Sequence, residues 1–344
     1  MDTNKFLAVI PKVELHIHLA GTITASKLFE LAKKNDIPLP YYKEIRELYE
    51  YETLSEFLKI YRLANQCLQT TEDFRTVTYQ SLEDSASANV KYREMFWNPS
   101  DHLAQGVTIQ ESYLGIKKGI DDAYNDFGII CKLIASINRE SSPAVAEEMV
   151  SEIIGINSPD IIGIGADYDT VYHDPLEFAP AYRLAKKHGL YRTSHVCEAT
   201  QPASDAMNCL AVLECNRLDH GYRIMSDPEI VKLCIDRDIL FTTIPMADRS
   251  WIISTFGEWD KSKHPIRNMV GAGLKIMIDT DDPGIMGKNI YDAYMIAVHE
   301  IGFSVNDIKT FIMNSIDGSF LEDNVKREWK KDWSAEIDAL LAEP

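Results

Sequence analysis

Residues 11–21 read Pro11-Lys12-Val13-Glu14-Leu15-His16-Ile17-His18-Leu19-Ala20-Gly21. Apolar side chains at 13, 15, 17 and 19 alternate with polar ones at 12, 14, 16 and 18. That is the two-residue period of a β-strand, and it places His16 and His18 on one side. Comparable β-branched or aromatic runs, each ending in polar residues, recur at 91–97, 129–137, 161–166, 190–196, 217–221, 239–244 and 275–279. The stretches between them have helical spacing and helix-start signals: Ser26 to Ala32, Thr70-Thr71-Glu72-Asp73 before Phe74, and Asp174-Pro175-Leu176-Glu177. Strands alternating with helices in this number predict an α/β fold, a (β/α)8 TIM barrel, with a doubly wound open sheet as the alternative. The interval from about residue 20 to residue 90 is too long for one crossover helix. It predicts extra helices inserted after the first strand and packed over one end of the barrel. No repeat, low-complexity tract or Pro/Gly/Ser-rich linker divides the chain, so residues 1–344 read as a single domain.

Composition narrows the partners. With 35 Lys+Arg against 53 Asp+Glu, the formal charge is −18. Affinity for nucleic acid and for anionic membranes comes mostly from basic side chains neutralising fixed negative charge. Neither is expected as a partner, and no basic stripe offsets the balance. The five apolar residues Phe6 to Ile10 before Pro11 are too few for a secretory apolar core. No stretch approaches the ~18 apolar residues of a membrane span. Six scattered cysteines lack the paired spacing of a disulfide framework or zinc knuckle, and the reading is a reduced, cytoplasmic protein.

The chemistry-bearing residues fall at strand ends. Two imidazoles one pleat apart can converge on one divalent ion, although a lone His-x-His equally describes two hydrogen-bonded structural histidines. Partners stand at the ends of other runs: His195 with Glu198 three residues on, His220 before Gly221, and Asp279, Asp281 and Asp282 around Thr280. Burying so many carboxylates together is costly unless a cation or a donor-rich ligand offsets them. His16, His18, His195, His220 and Asp281 all sit at carboxyl ends of predicted strands, the end where barrel active sites lie.

The motifs resemble those of the adenosine deaminase family of the amidohydrolase superfamily. Its opening Pro-Lys-x-Glu-Leu-His-x-His-Leu-x-Gly is matched from Pro11 to Gly21. Its His-x-Gly-Glu is matched in part from His195 to Glu198, its His-Gly at His220-Gly221, and its Asp-Asp-Pro from Asp281 to Pro283. Asn314-Ser315 and Ser319-Phe320 are similar to its last helices. The resemblance implies a zinc-dependent hydrolytic deaminase of an aminopurine base or nucleoside, with one Zn2+ held by His16, His18, His195 and Asp281. It further implies that His220 orients or deprotonates the attacking water, that Glu198 delivers a proton to a purine ring nitrogen, and that Asp282 bonds another. The Gly165 amide and Tyr168 stand where the family contacts the purine. A two-metal amidohydrolase, with His220 on a second ion, would need a bridging lysine or carboxylate, and Lys132 lies near the wrong end of the third strand.

Departures concern substrate. Ala20 replaces the aspartate or glutamate found after His-Leu, so a ribose hydroxyl there would lose a partner. Cys197 replaces glycine and reads as a packed thiol rather than a nucleophile. The fourth strand ends in Gly165-Ala166-Asp167-Tyr168-Asp169-Thr170, and the seventh in Thr242-Thr243-Ile244-Pro245-Met246. Trp251, Phe256 and Trp259 follow, as rim packing or as a stacking surface for a base. His264-Pro265 is similar to the adenine-type and related bacterial branches. Two other readings stand beside the aminopurine deaminase: a deaminase of a different aminoheterocycle, and a non-catalytic nucleoside-binding or signalling protein that retains the barrel.

Overall fold

The computed structural model describes residues 2–169, 172–199, 201–245 and 264–342. Thr170, Met246, Trp251, Phe256 and Trp259 therefore lie outside the described residues. The strands are β1 (Lys12–His18), β2 (Val90–Trp97), β3 (Ile130–Asn138), β4 (Ile161–Asp167), β5 (Tyr191–Arg192), β6 (His195–Val196), β7 (Leu218–His220), β8 (Leu240–Thr243) and β9 (Lys275–Ile278). All neighbours pair in parallel, in the orders β1-β2-β3-β4-β5 and β6-β7-β8-β9.

β5 and β6 are two halves of the fifth predicted run. Thr193 and Ser194 between them still bond both neighbours, Thr193 N to Ile164 O at 3.0 Å and Asp219 N to Ser194 O at 3.0 Å. Past the end of β9, Asp281 N bonds His16 O at 3.0 Å and His18 N bonds Asp281 O at 2.9 Å. The last strand thus returns to the first, which is the order of a (β/α)8 barrel and not of an open sheet.

Parallel strands covered on both faces bury residues of every type, and β1 is buried throughout. Its register with β2 shifts twice, the first time between Lys12 and Val13. The second shift separates Glu14 from Ile17, and Glu14 Oε2 accepts from Arg93 Nε at 3.0 Å and from Ser85 at 2.8 Å instead of sharing a site with His16. At the opposite end, Lys132 Nζ bonds Asp160 Oδ1 at 2.7 Å, far from the histidines, as its position early in β3 predicts.

The insertion after β1 comprises short turns at Ala20–Thr22 and Ile45–Tyr49 and helices Ala25–Lys34, Leu54–Gln66 and Thr71–Ser87. Their starts are chemically encoded. Thr24 caps the first helix, and Thr70 and Asp73 form a reciprocal capping box on the third. Helix Leu54–Gln66 is the one that matters for the site, because Leu54, Phe57, Leu58 and Tyr61 roof the carboxyl end of the barrel. All six cysteines are free and buried. Among the described residues, no helix is long and apolar enough to cross a membrane.

Candidate active site

His16, His18, His195 and Asp281 converge, with one donor atom from each lying within 4.8 Å of all the others. His195 Nε2 is 3.1 Å from both His16 Nε2 and His18 Nε2. Asp281 Oδ1 is 3.3 Å from His16 Nε2 and 3.2 Å from His18 Nε2. Donors bonded to one tetrahedral ion at about 2.1 Å stand about 3.4 Å apart, so these spacings suit a single ion.

The outer nitrogens show how the donors are presented. Thr242 Oγ1 has one proton, and its 2.9 Å bond to the Asp219 carboxylate uses it. Its 2.7 Å contact with His16 Nδ1 is therefore accepted from the imidazole, which leaves the His16 Nε2 lone pair for a metal. His18 Nδ1 lies 3.4 Å from Asp167 Oδ2, and Asn98 Nδ2 holds that carboxylate at 2.8 and 2.9 Å. Burial and the neighbouring His16 keep His195 and His220 well below the usual histidine range, hence neutral. Burial alone would raise the Asp281 carboxyl, but His16 and His18 hold it well below the carboxylate range. Burial disfavours charge on His18, but its contacts with Asp167 and Asp281 outweigh that and raise it well above the usual histidine range, so a metal bound there would displace a proton. Three imidazole nitrogens and one carboxylate are a donor set that binds zinc and similar divalent ions.

Two narrow cavities of about 60 and 40 Å³ adjoin these donors and share Leu54, Phe57, Glu198, His220 and Asp281 in their walls. His220 Nε2 lies 3.8 Å from Glu198 Oε1 and 3.9 Å from Asp281 Oδ2, outside the four-donor cluster. Burial, then the charge of Asp281, pushes the Glu198 carboxyl up to about 7. Asp282 lines the same space; burial and Asp281 push its carboxyl well above the ordinary range, and its Oδ1 has no hydrogen-bond partner among the described residues. The Tyr168 ring also lines the space, while its hydroxyl is turned to Asp101 Oδ2 at 2.5 Å. Gly165 is not brought there. It packs within β4 against Phe96, leaving no room for a side chain. The Cys197 thiol bonds Pro202 O at 3.3 Å, and burial pushes it up to about 12, so it is no thiolate.

A model of the adenosine deaminase family matches residues 11–333. The chain belongs to the adenosine deaminase family. An adenine deaminase of Vibrio parahaemolyticus is 30% identical over 329 residues, 95% of this chain and 96% of that one. Among solved structures, a zinc-bound amidohydrolase of Burkholderia ambifaria superposes with a TM-score of 0.93 at 33% identity, covering 99% of this chain and 94% of that chain. The adenine deaminase of Arthrobacter aurescens gives 0.88 at 31% identity, covering 96% and 100%. As a member of the adenosine deaminase family, the protein is a hydrolase acting on carbon–nitrogen bonds, and its three histidines and aspartate fit a metal site of that family.

Several residues that build this family site escaped the sequence reading. Asp219 and Asp167 stand behind the donors, and Phe96 floors them, stacked on His18 with centroids 4.9 Å apart. The buried Arg139 guanidinium ties three strand-end carbonyls together, those of Asp167 at 2.9 Å, Tyr168 at 2.7 Å and His195 at 2.7 Å. Asp219 and Asp167 had one available signal, a carboxylate at or next to the last residue of a buried strand, where an unpaired charge is costly.

Proposed function

We propose that the protein is a zinc-dependent deaminase of an aminopurine, with a free base such as adenine as substrate. The observation that carries the reading is the juxtaposition of the four-donor cluster with His220, Glu198 and Asp282 around one enclosed space. The adenine deaminases at 30% and 31% identity support the base. So does Ala20, which is buried and offers no group to a ribose hydroxyl.

One Zn2+ would be held by His16, His18, His195 and Asp281, and when bound it lowers the pKa of water toward about 7. The chain's own groups then divide the proton work. His220, neutral and beside Asp281, takes a proton from the water that adds to the amino-bearing ring carbon. Glu198, pushed up to about 7, carries a proton at neutral pH and gives it to the adjacent ring nitrogen. Asp282 keeps its proton in its buried setting and donates to a second ring nitrogen, which orients the ring. When the carbon–nitrogen bond breaks, the amine takes up the proton held on His220 and leaves as ammonia, while the added hydroxyl becomes the ring carbonyl and returns its proton to Glu198. Leu54, Phe57, Ile244 and Met286 keep bulk water out of this space.

Ammonia release from a panel of aminopurine bases, nucleosides and other aminoheterocycles tests the reading. Adenine is the expected best substrate, and Glu198→Gln should lower kcat by about 10^3, within the range for losing a general acid or base. Asp281→Asn and His16→Ala should abolish turnover together with zinc binding. No turnover of any aminopurine by zinc-loaded protein would sink the proposal, and turnover of a different ring class alone would redirect it.

A further inference from the structure

We propose that Asp219 is a positioning residue for two of the four metal donors, acting on His16 through the Thr242 hydroxyl and on His195, whose Nδ1 has no hydrogen-bond partner among the described residues, through its charge alone. The inference rests on the metal-dependent reading above and adds a residue to it. Asp219 is fully buried on β7, directly behind His16 and His195. Its Oδ1 accepts from Thr242 Oγ1 at 2.9 Å, and its Oδ2 accepts from Thr193 Oγ1 at 2.7 Å. The same oxygens face the outer nitrogens of the two histidines, Oδ1 at 3.9 Å from His16 Nδ1 and Oδ2 at 3.7 Å from His195 Nδ1. Arg217 Nε makes only a long ion pair with Oδ1 at 3.9 Å, its other nitrogens being bonded to Glu94 and to the Leu15 carbonyl.

The proton count makes the carboxylate necessary. An ionised carboxylate only accepts, so both threonine hydroxyls are forced to donate toward it. Thr242 then has only lone pairs left for His16 Nδ1, at 2.7 Å, and the His16 proton must sit on Nδ1. An asparagine of the same shape breaks this rule, because its NH2 group donates. Where the NH2 takes the place of Oδ1, Thr242 is released to donate toward the imidazole instead, which would place the His16 proton on Nε2, where the metal bond should form. One substitution would also remove the negative charge that draws the His195 Nδ1 proton outward. His18 is held separately, by Asp167, and is left intact.

Zinc affinity of the purified full chain, read by competition with a chromophoric chelator, is the test, together with the visible spectrum of the cobalt(II)-loaded protein. Loss of an outer-shell partner costs about 10–100-fold in metal affinity. Asp219→Asn and Thr242→Val should each weaken zinc binding within that range and shift the cobalt bands. Thr242→Ser, which keeps the hydroxyl, should restore affinity to within about threefold of the parent, since the relay needs only one O–H. Thr243→Val is the control, because the Thr243 hydroxyl bonds the Met277 carbonyl at 2.6 Å and takes no part in the relay. Its affinity should match the parent. Parental zinc affinity and an unchanged cobalt spectrum in Thr242→Val or in folded Asp219→Asn would overturn the inference and leave the deaminase reading standing. If the parent chain bound no zinc, both would fall.

Discussion

Gly21 shows how one missing side chain shapes the site. A Cβ built there would fall 1.7 Å from Asp282 Oδ1, so the glycine that closes the opening motif makes room for a carboxyl from the far end of the chain. Gly21→Ala must push Asp282 out of place while leaving His16, His18, His195 and Asp281 where they are. A misplacement of about 1 Å can cost about 10^2 in rate. The variant should therefore lose at least that in kcat/KM, keep full zinc content, and lose only about 1–3 kcal/mol of stability, the usual cost of overpacking. Full turnover in Gly21→Ala would show that Asp282 does not need its present position. Backbone strain collects at the same place: Tyr168, Cys197, His220 and Asp281 are all left-handed, with φ of 64°, 50°, 65° and 59°. Each such residue costs of order 1–3 kcal/mol and persists only when its surroundings hold it. The arrangement explains why glycine is the family residue where Cys197 stands. It also shows why strand-end geometry could not be read from side-chain alternation, which assumes regular β torsions.

The connecting elements carry their own pH dependence. The short helix Pro99–Gln105 after β2 buries His102 edge-on against Phe74, with centroids 4.8 Å apart, and its Nδ1 has no hydrogen-bond partner among the described residues. Burial lowers its pKa to about 4. The folded-state value lies below the unfolded one, so between about pH 6.5 and 4 the unfolded chain binds the extra proton and stability falls as pH falls. From pH 7.5 to 5 the loss attributable to His102 is about 2 kcal/mol. Urea midpoints at both pH values should show a smaller drop in His102→Leu than in the parent, and parallel drops would refute it. The strands were legible because each carries an apolar run between polar ends. The fifth was read as continuous from Leu190 to Val196 and is interrupted at Thr193-Ser194, where the side chains serve the site: Thr193 donates to Asp219. The cluster of His16, His18, His195 and Asp281 was legible because two imidazoles and an Asp-Asp-Pro turn have few other uses together. Asp219, Thr242 and Arg139 were not, since their function is to hold backbone carbonyls or other side chains, and that depends on which strands become neighbours.

At the scale of the whole molecule, the charge of −18 acquires a location. Beside the enclosed space next to the donor cluster lies a wider cavity of about 1040 Å³, which shares Tyr51, Glu52 and Met286 with the wall of that space. Its wall includes Glu47, Glu50, Glu52, Glu56 and Glu300, against Lys59 and Lys288. A substrate carrying a phosphate would have to rest its dianion among these carboxylates, whereas a neutral base would not. Two unit charges about 6 Å apart in water interact by about 0.7 kcal/mol, and salt at 0.15 M screens over about 8 Å. Each nearby glutamate thus disfavours a dianion by about 0.5 kcal/mol or more, and together they should set a nucleoside monophosphate at least tenfold below the corresponding base in kcat/KM. Replacing Glu50, Glu52 and Glu300 together by glutamine should raise the monophosphate-to-base ratio by about tenfold, and raising ionic strength should narrow it in the parent but less in the triple variant. The measurement is kcat/KM for adenine and adenosine monophosphate in both proteins at about 0.05 and 0.5 M salt. A ratio that ignores both salt and substitution would mean that shape alone, through the enclosing Leu54, Phe57 and Tyr61, decides which purines enter.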